Sequence, residues 1–240
     1  MKITAGSMHF KDLNDAVRAT PDRDVTIVGC LGQRYIASGC KGKRITVEGI
    51  PGNALGAYMD GSTVTVFGNV QEATGDTMND GEIVIHGNAG DATGYGMRGG
   101  KIFVLGDTGT RAGIHMKEYG DKKPVLVIGG RAGCFLGEYQ AGGTIVVLGL
   151  SSGGKPPVDP FCGTGMHGGE MILRCGEPPQ DLPPQVSAQP LKEADFMRIR
   201  PLLEEFCQLF GQDAGEILKG PFYRLTPNAA NPYKRLYTSY

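Results

Sequence analysis

Short runs in which β-branched and polar residues alternate recur along most of the chain at a nearly fixed distance. The clearest runs are 45–47, 64–66, 83–85 and 102–104, which begin 19 residues apart. Alternation of this kind places the aliphatic side chains on one face of a strand and the polar ones on the other. A fixed period of about 20 residues predicts a stack of repeats, each burying its apolar face against the next.

Glycine and methionine follow the same period. Each run is followed two residues later by a glycine, seven residues further by a second glycine, and three residues after that by a methionine. Sharp bends with positive φ are easiest for glycine, which predicts structural corner positions. The corner glycines are Gly49, Gly56, Gly68, Gly75, Gly87, Gly94, Gly106 and Gly113, and the methionines are Met59, Met78, Met97 and Met116.

The pattern extends in both directions, with insertions at 117–124 and 151–161. It predicts an all-β fold, a right-handed parallel β-helix of about eight turns of 19–20 residues. The six-residue repeat typical of left-handed β-helices is missing. The methionines are expected to form a further interior row, since Met fills irregular gaps. The predicted interior ladders are Val25-Ile45-Val64-Ile83-Ile102-Val125-Ile145 and Ile27-Val47-Val66-Ile85-Val104-Val127-Val147, with a weaker last turn at Met171, Leu173 and Cys175.

Four segments are expected. Residues 1–22 form an N-terminal cap with a short helix for which Asp12 is the candidate N-cap, and residues 23–175 form the coil. Residues 176–190 are a proline-rich linker. Residues 191–240 form a helical and aromatic tail, in which Pro201 predicts a kink or two helices and Gly211 a helix C-cap. The end of this tail is expected to pack along the coil or on a partner.

Charge, hydrophobic runs and cysteine spacing argue against several classes of function. The net charge is −1 without a basic stripe, which argues against nucleic acid or an anionic membrane as a partner. No transmembrane helix and no export signal are expected, so a cytoplasmic location is predicted. The six cysteines lack close pairing, which predicts reduced, mostly buried thiols and argues against an iron–sulfur cluster held by this chain alone.

Several motifs are better explained by the repeat than by chemistry. The glycine fingerprints that begin at Gly94 and Gly163 share one corner of the repeat, and no helix is expected to follow them. Of the histidines, His86 is expected to face outward and His115 and His167 to occupy ladder positions, without metal-ligand spacing. No catalytic, cofactor-binding or metal-binding residue is predicted.

Several charged residues allow both a functional and a structural interpretation. Asp60 and Asp80 share a register, which suits turn-forming carboxylates better than an acid–base pair. Arg98, Arg111 and Arg131 could face an anionic ligand, although a solvated surface position is the simpler interpretation for each.

The repeat resembles the GXGXG domain at the C-terminal end of the large subunit of glutamate synthase. The residues that carry the resemblance are GQRYI from Gly32, PGN from Pro51, the 19-residue glycine and methionine repeat, and EYQAGG from Glu138. The segment from Leu203 to Leu218 is also similar to the helical extension that follows this domain in glutamate synthases. Related units form a separate subunit of formylmethanofuran dehydrogenase.

The resemblance implies a structural role and no catalysis by this chain alone. The expected function is a scaffold subunit of a glutamate synthase-type complex that converts glutamine and 2-oxoglutarate to glutamate. The expected partners are a glutaminase-type subunit and a central subunit that carries FMN and an iron–sulfur cluster. The chain begins with Met1 and Lys2, without the N-terminal cysteine nucleophile of the family's glutaminase.

Two other functions stay open at this point. One is a scaffold in another multisubunit oxidoreductase, similar to the related subunit of formylmethanofuran dehydrogenase. The other is an independent carbohydrate-acting β-helix protein, against which the lack of clustered carboxylates counts. A homo-oligomer is also left open.

Overall fold

The structure is a computed structural model that describes residues 1–228. These residues form eleven strands and three α-helices. In chain order they are β1 (Lys2–Thr4), α1 (Phe10–Ala19), β2 (Asp24–Leu31), β3 (Arg44–Ile50), β4 (Asp60–Phe67), β5 (Asp80–Ile85), β6 (Lys101–Val104), β7 (Val125–Ile128), β8 (Ala141–Val147), β9 (Gly168–Arg174), β10 (Val186–Pro190), α2 (Glu193–Phe210), α3 (Ala214–Leu218) and β11 (Phe222–Pro227).

All eleven strands belong to one sheet. Strands β1 to β9 lie side by side in chain order and are parallel, while β11 pairs antiparallel with β9 and β10 pairs antiparallel with β11. The prediction of an all-β right-handed parallel β-helix is therefore wrong. The fold is a single, mostly parallel sheet with three helices.

The reason lies in the residues between the strands. Each repeat has one run of alternating β-branched residues that is long enough for a strand. The remainder consists of turns with left-handed residues such as Ala54 and Tyr58, joined to the next repeat by single bridges such as Val70 to Ala89. A residue with positive φ cannot continue an extended ladder, so these segments form no further sheet.

The predicted interior ladders are correct except in β7, where the row is shifted by one residue; Ile145 and Val147 on β8 are in the predicted rows. Ile45 pairs with Val64, which continues through Ile83 to Ile102. The next member of this row is Leu126, and the parallel row continues through Ile128, so the predicted positions of Val125 and Val127 are wrong.

The corresponding corner residue explains the slip. The N–H of Gly130, and not that of Gly129, donates to the carbonyl oxygen of Gly106 at 2.9 Å. The insertion is thus one residue longer than the glycine spacing implied. Because side chains alternate along a strand, this slip moves Val127 to the opposite face of the sheet.

The two faces of the sheet have different cover. The inner face packs against the turn segments, where Met59, Met78, Met97 and Met116 are fully buried in a row, as predicted. On the outer face, α2 covers the strands from β5 onward through a second buried cluster. Its members on the sheet are Val84, Phe103, Val127, Val146, Leu148 and Ile172, and those on the C-terminal segment are Ile199, Leu203, Phe206, Cys207, Ile217 and Phe222.

The terminal elements differ from the sequence-based expectations in two places. Helix α1 begins at Phe10 with His9 as its N-cap, so Asp12 lies in the first turn and does not cap it. Helix α2 continues through Pro201 as one element and ends at Phe210, and the following Gly211 has the φ of 65° that fits the expected C-cap. The last three tyrosines of the tail, Tyr233, Tyr237 and Tyr240, lie outside the described residues.

Candidate functional site

A row of exposed side chains runs across the turns at one position of each repeat. Tyr58, Thr77, His115 and Tyr139 all have positive φ, between 51° and 57°, as does Gly96 between them at 55°. Backbone hydrogen bonds join each of these positions to the next repeat, as from the N–H of His115 to the carbonyl oxygen of Glu138 at 2.9 Å. Left-handed backbone costs a non-glycine residue about 1–2 kcal/mol, so side chains are maintained here at an energetic cost.

Aromatic rings stack along part of this row. The ring of His115 lies nearly parallel to that of Tyr139, with centroids 5.2 Å apart and planes 8° apart. The ring of Tyr95 approaches the other side of His115 edge-on at 5.8 Å. Stacked rings restrict each other's rotation, so His115 and Tyr139 form a rigid aromatic wall on the surface.

A cavity of about 270 Å³ opens beside this wall. Gly96 leaves the space, because the same position in the next repeat carries the imidazole of His115. The residues that line the cavity are Thr77, Tyr95, Gly96, Arg98, His115, Lys117, Tyr139, Ala141 and His167.

The charges in this cavity are all of one sign. Arg98 and Lys117 occupy equivalent positions of consecutive repeats, since their N–H groups donate to the Met78 and Met97 carbonyl oxygens at 2.9 and 3.0 Å. No carboxylate lines the cavity among the described residues. Within residues 1–228 neither cation forms an ion pair, and Nε of Arg98 is buried without a hydrogen-bond partner.

The other two arginines singled out from the sequence are already engaged. Arg111 bonds to Glu138 at 2.9 Å and its guanidinium lies 4.9 Å from the Phe135 ring centre. Arg131 bonds to Asp159 at 2.9 Å. Of the three, Arg98 is the one that faces an open space. The sequence contained the signal, a cation at 98 and another 19 residues later beside a glycine at 96, but nothing in it showed that Arg98 lacks a carboxylate.

The two aspartates in register form an ion-pair group on the surface. Asp60 pairs with Asp80 across β4 and β5, and Lys122 lies 3.3 and 3.1 Å from their carboxylates. Hydrogen bonds from Lys41 and then Lys122 lower the pKa of Asp60. A carboxylate held in this way stays ionised and is a poor general acid.

The glycine fingerprints lie in turns. The segment that begins at Gly94 precedes β6 and the one that begins at Gly163 precedes β9, so neither opens a helix that could receive a pyrophosphate. The eight corner glycines also lie in or beside the turns. Positive φ is found at Gly49, Gly56, Gly68, Gly75, Gly94 and Gly113, whereas Gly87 and Gly106 are outside the left-handed region.

Gly106 has a packing reason instead. A Cβ atom there would overlap Oδ1 of Asn88, the oxygen that accepts a hydrogen bond from the N–H of Asp107 at 2.8 Å. This asparagine joins two repeats at their corner, and only glycine leaves room for it.

The histidines and cysteines form no metal site in the described part of the chain. His86 lies on the outer face, stacked on Phe67 with ring centres 4.6 Å apart and edge-on to Phe210 at 5.1 Å. Burial lowers the pKa of His86. All six cysteines are free thiols, five of them buried, as expected for a reduced protein. Burial raises the pKa of Cys162 to about 12, which makes this thiol unreactive.

Exposed apolar side chains mark a second surface. Leu31, Ile50 and Phe67 are the last residues of β2, β3 and β4, and 76%, 45% and 54% of their respective surfaces are exposed. Leu31 pairs with Ile50, and Phe67 pairs with Glu48, two residues before Ile50, so the three lie near the same end of adjacent strands and form a candidate protein–protein contact. No helix between residues 1 and 228 is both long and apolar enough to cross a bilayer.

The fold and these surfaces describe a repeat protein built on one parallel sheet, with a helical C-terminal segment that packs on the sheet. The family model described as "GXGXG motif" matches residues 12–228, and the chain belongs to this family. The match includes strands β2 to β11 and the C-terminal helices.

Known proteins similar to this chain include a sequence relative and a structural neighbour. An uncharacterized protein of Methanocaldococcus jannaschii is 44% identical over 250 residues, which span 98% of this chain and 95% of that protein. A chain of the formyltransferase/hydrolase complex from Methylorubrum extorquens, solved in complex with methylofuran, has a TM-score of 0.65. That match covers 88% of this chain and 76% of the other at 24% identity, so it supports the fold alone.

Proposed function

We propose that this chain is a non-catalytic structural subunit of a multisubunit enzyme complex of the glutamate synthase type. In that complex it would hold a glutaminase-type subunit against a central subunit that carries FMN and an iron–sulfur cluster, in the cytoplasm. The observation that carries the proposal is the match of the GXGXG family over residues 12–228, which includes both the sheet and the helical extension that resembles that of glutamate synthases.

The packing of the extension supports this role. Glu170 on β9 accepts hydrogen bonds from Arg198 on α2 at 2.5 Å and from Arg224 on β11 at 2.7 Å. Lys101 on β6 bonds to Glu205 on α2 at 2.5 Å. The ion pairs of Arg198 and Glu205, two turns apart on α2, and the apolar cluster fix the extension on the sheet. A scaffold needs such a fixed spacing between its contact surfaces.

The exposed apolar side chains at the ends of β2, β3 and β4, which we call the apolar edge, supply a contact surface of suitable chemistry. Leu31, Ile50 and Phe67 remain exposed in the isolated chain, and burying them against a partner would release their hydration water. We assign this edge to the central subunit, whose contact with the scaffold must be permanent and therefore apolar.

The test is an affinity purification of the tagged chain from its native cells, with the eluate assayed for flavin and for glutamine-dependent formation of glutamate. Recovery of a flavoprotein with this activity is expected. Phe67→Asp should reduce its recovery at least tenfold, whereas Met197→Asp should not, although both side chains are 54% exposed. Recovery of the chain alone, or equal recovery with both variants, would contradict the proposal.

A second candidate is a structural subunit of a complex that acts on a formyl carrier. It is favoured by the fold shared with a chain of the formyltransferase/hydrolase complex. The same purification separates the two candidates, because copurification with molybdenum- or tungsten-containing subunits and no glutamate-forming activity would favour this one.

A further inference from the structure

The cavity beside Gly96 has a charge pattern that a structural role does not explain. The ion pairs that join repeats elsewhere have both partners present, as in Arg111 with Glu138 and Arg131 with Asp159. Arg98 and Lys117 stand in adjacent repeats with no carboxylate among the described residues that line their cavity. Two cations one repeat apart, without a carboxylate beside them, attract an anionic ligand.

Arg98 also carries a hydrogen-bond donor that the protein leaves unused. Its Nε is buried and has no partner in the part of the chain that the structure describes. A buried N–H without an acceptor is costly, and almost all such groups in proteins are satisfied. An oxyanion in the cavity would offset the charge of this guanidinium, whose paired donors fit a carboxylate.

The shape limits the size of the ligand. A cavity of about 270 Å³ lies just below the range of sites for drug-sized molecules and suits a compact molecule of a few carbon atoms. The stacked rings of His115 and Tyr139 form one wall, against which a short carbon chain can pack. The two cations, one repeat apart, offer separate partners for two anionic groups.

We infer that this cavity is a binding site for a small dicarboxylate, with one carboxylate on Arg98, the other on Lys117, and the carbon chain against the aromatic wall. The site depends on these residues alone and not on the proposed scaffold role. It would make the chain a ligand-responsive subunit, since the ligand would join the repeats of β6 and β7 that Arg98 and Lys117 precede.

Isothermal titration calorimetry on the purified full-length chain tests the site with succinate as the probe and acetate and inorganic phosphate as comparisons. Saturable succinate binding is expected, with acetate at least tenfold weaker because it can use one cation only. Arg98→Gln and Lys117→Gln should each weaken succinate binding about tenfold or more. Arg200→Gln is the matched control, because it removes a cation from an exposed pair on α2 and should leave binding unchanged.

A variant that keeps both cations tests the cavity itself. Gly96→Asn places a side chain in the open space. The backbone tolerates this change, because asparagine accepts left-handed φ and the neighbouring positions Thr77 and His115 already carry side chains there. Thermal melting by circular dichroism should show a fold like that of the wild type, and succinate binding should be lost.

Three results would overturn the dicarboxylate site. If succinate gives no saturable heat, or if Gly96→Asn or Arg98→Gln binds it as the wild type does, the cavity is not its site. If phosphate and acetate bind as tightly as succinate, the site recognises a single oxyanion and the dicarboxylate assignment is wrong.

Discussion

The outer face of the sheet changes character midway along the stack, whereas the inner face does not. On β2, β3 and β4 the outward residues at one register are Thr26, Thr46 and Thr65, which remain partly exposed. From β5 to β9 the same register holds apolar residues buried under α2. These are Val84, Phe103, Val127, Val146 and Ile172.

Inward positions therefore specify the stack, and outward positions specify what covers it. Inward residues stay aliphatic in every repeat because each strand needs a buried face. Outward residues can differ between repeats. Threonine keeps the outer face of β2 to β4 in contact with solvent, and apolar residues on β5 to β9 provide the surface on which α2 packs. The boundary between the two halves of the outer face lies between Thr65 on β4 and Val84 on β5. Helix α2 ends there, where the ring of Phe210 contacts His86.

The largest effect is expected from a charge on the inner face. Val66→Asp buries a carboxylate at a fully buried position without a partner, which should cost several kcal/mol, comparable with the whole stability of a domain. We expect loss of soluble expression. Thr65→Asp, one residue earlier on the outer face, is the control and should express normally. Equal yields of the two variants would show that the faces are not distinguished as described.

The next effect concerns the interface under α2. Phe103 is fully buried between the sheet and the helix, and Phe103→Ala should destabilise the protein by about 3–5 kcal/mol through lost burial and an unfilled cavity. The equivalent change on the open half, Thr46→Ala, should cost less than about 1 kcal/mol. Urea unfolding followed by circular dichroism measures both. Similar losses would mean that α2 contributes little to stability.

The ion-pair group that fixes α2 gives a smaller effect with a distinct pH dependence. Burial would raise the pKa of Glu170, but the hydrogen bonds and charges of Arg198, with Thr144 and Arg224, lower it below its ordinary value of 4.5. A carboxyl whose pKa is lower in the folded state stabilises above the unfolded pKa and loses this contribution as the pH falls through the folded value. Glu170→Gln should therefore cost about 2 kcal/mol at pH 7.

The measurement for Glu170 is the unfolding free energy of both proteins between about pH 3 and pH 7. The difference between wild type and Glu170→Gln should shrink as the pH falls below the ordinary pKa of 4.5. A difference that is constant over this range would show that packing, and not ionisation, is what the carboxyl contributes.

The sequence predicted the inner face well because its signal is local and repeats. Ile45, Val64, Ile83 and Ile102 could be aligned by spacing alone, and they do pair in that order. The register failed after the insertion at 117–124, where glycine spacing suggested Gly129 as the corner and the hydrogen bonds select Gly130. Nothing local decides between two adjacent glycines.

The fold class failed for a related reason. The glycines were expected to be corners of a coil, but left-handed residues such as Ala54 and Ala73, which fill the rest of each turn, are not recognisable from composition. The cavity beside Gly96 was missed because it depends on which arginine lacks a partner. Arg98, Arg111 and Arg131 look alike in the sequence, and only the fold brings Glu138 and Asp159 to the latter two.

The smallest expected effect concerns Glu82, which lies on the first strand that α2 covers. Glu82 lies on β5 beside Lys101, with Glu205 of α2 opposite. Burial and then the charge of Glu205 raise the pKa of Glu82, while Lys101 acts in the other direction. A carboxyl with a raised folded pKa favours folding at low pH and loses this contribution as the pH rises through its folded value.

Glu82→Gln should therefore stabilise the protein at pH 7 by less than about 1 kcal/mol, because Lys101 remains paired with Glu205 and solvent screens the group. At about pH 4 the two proteins should be equally stable. The control is Glu48→Gln, an exposed carboxyl on β3 of the open half, which should change the unfolding free energy at neither pH. If Glu82→Gln destabilises at pH 7, then Glu82 serves as a partner of Lys101, and the docking of α2 relies on both carboxylates.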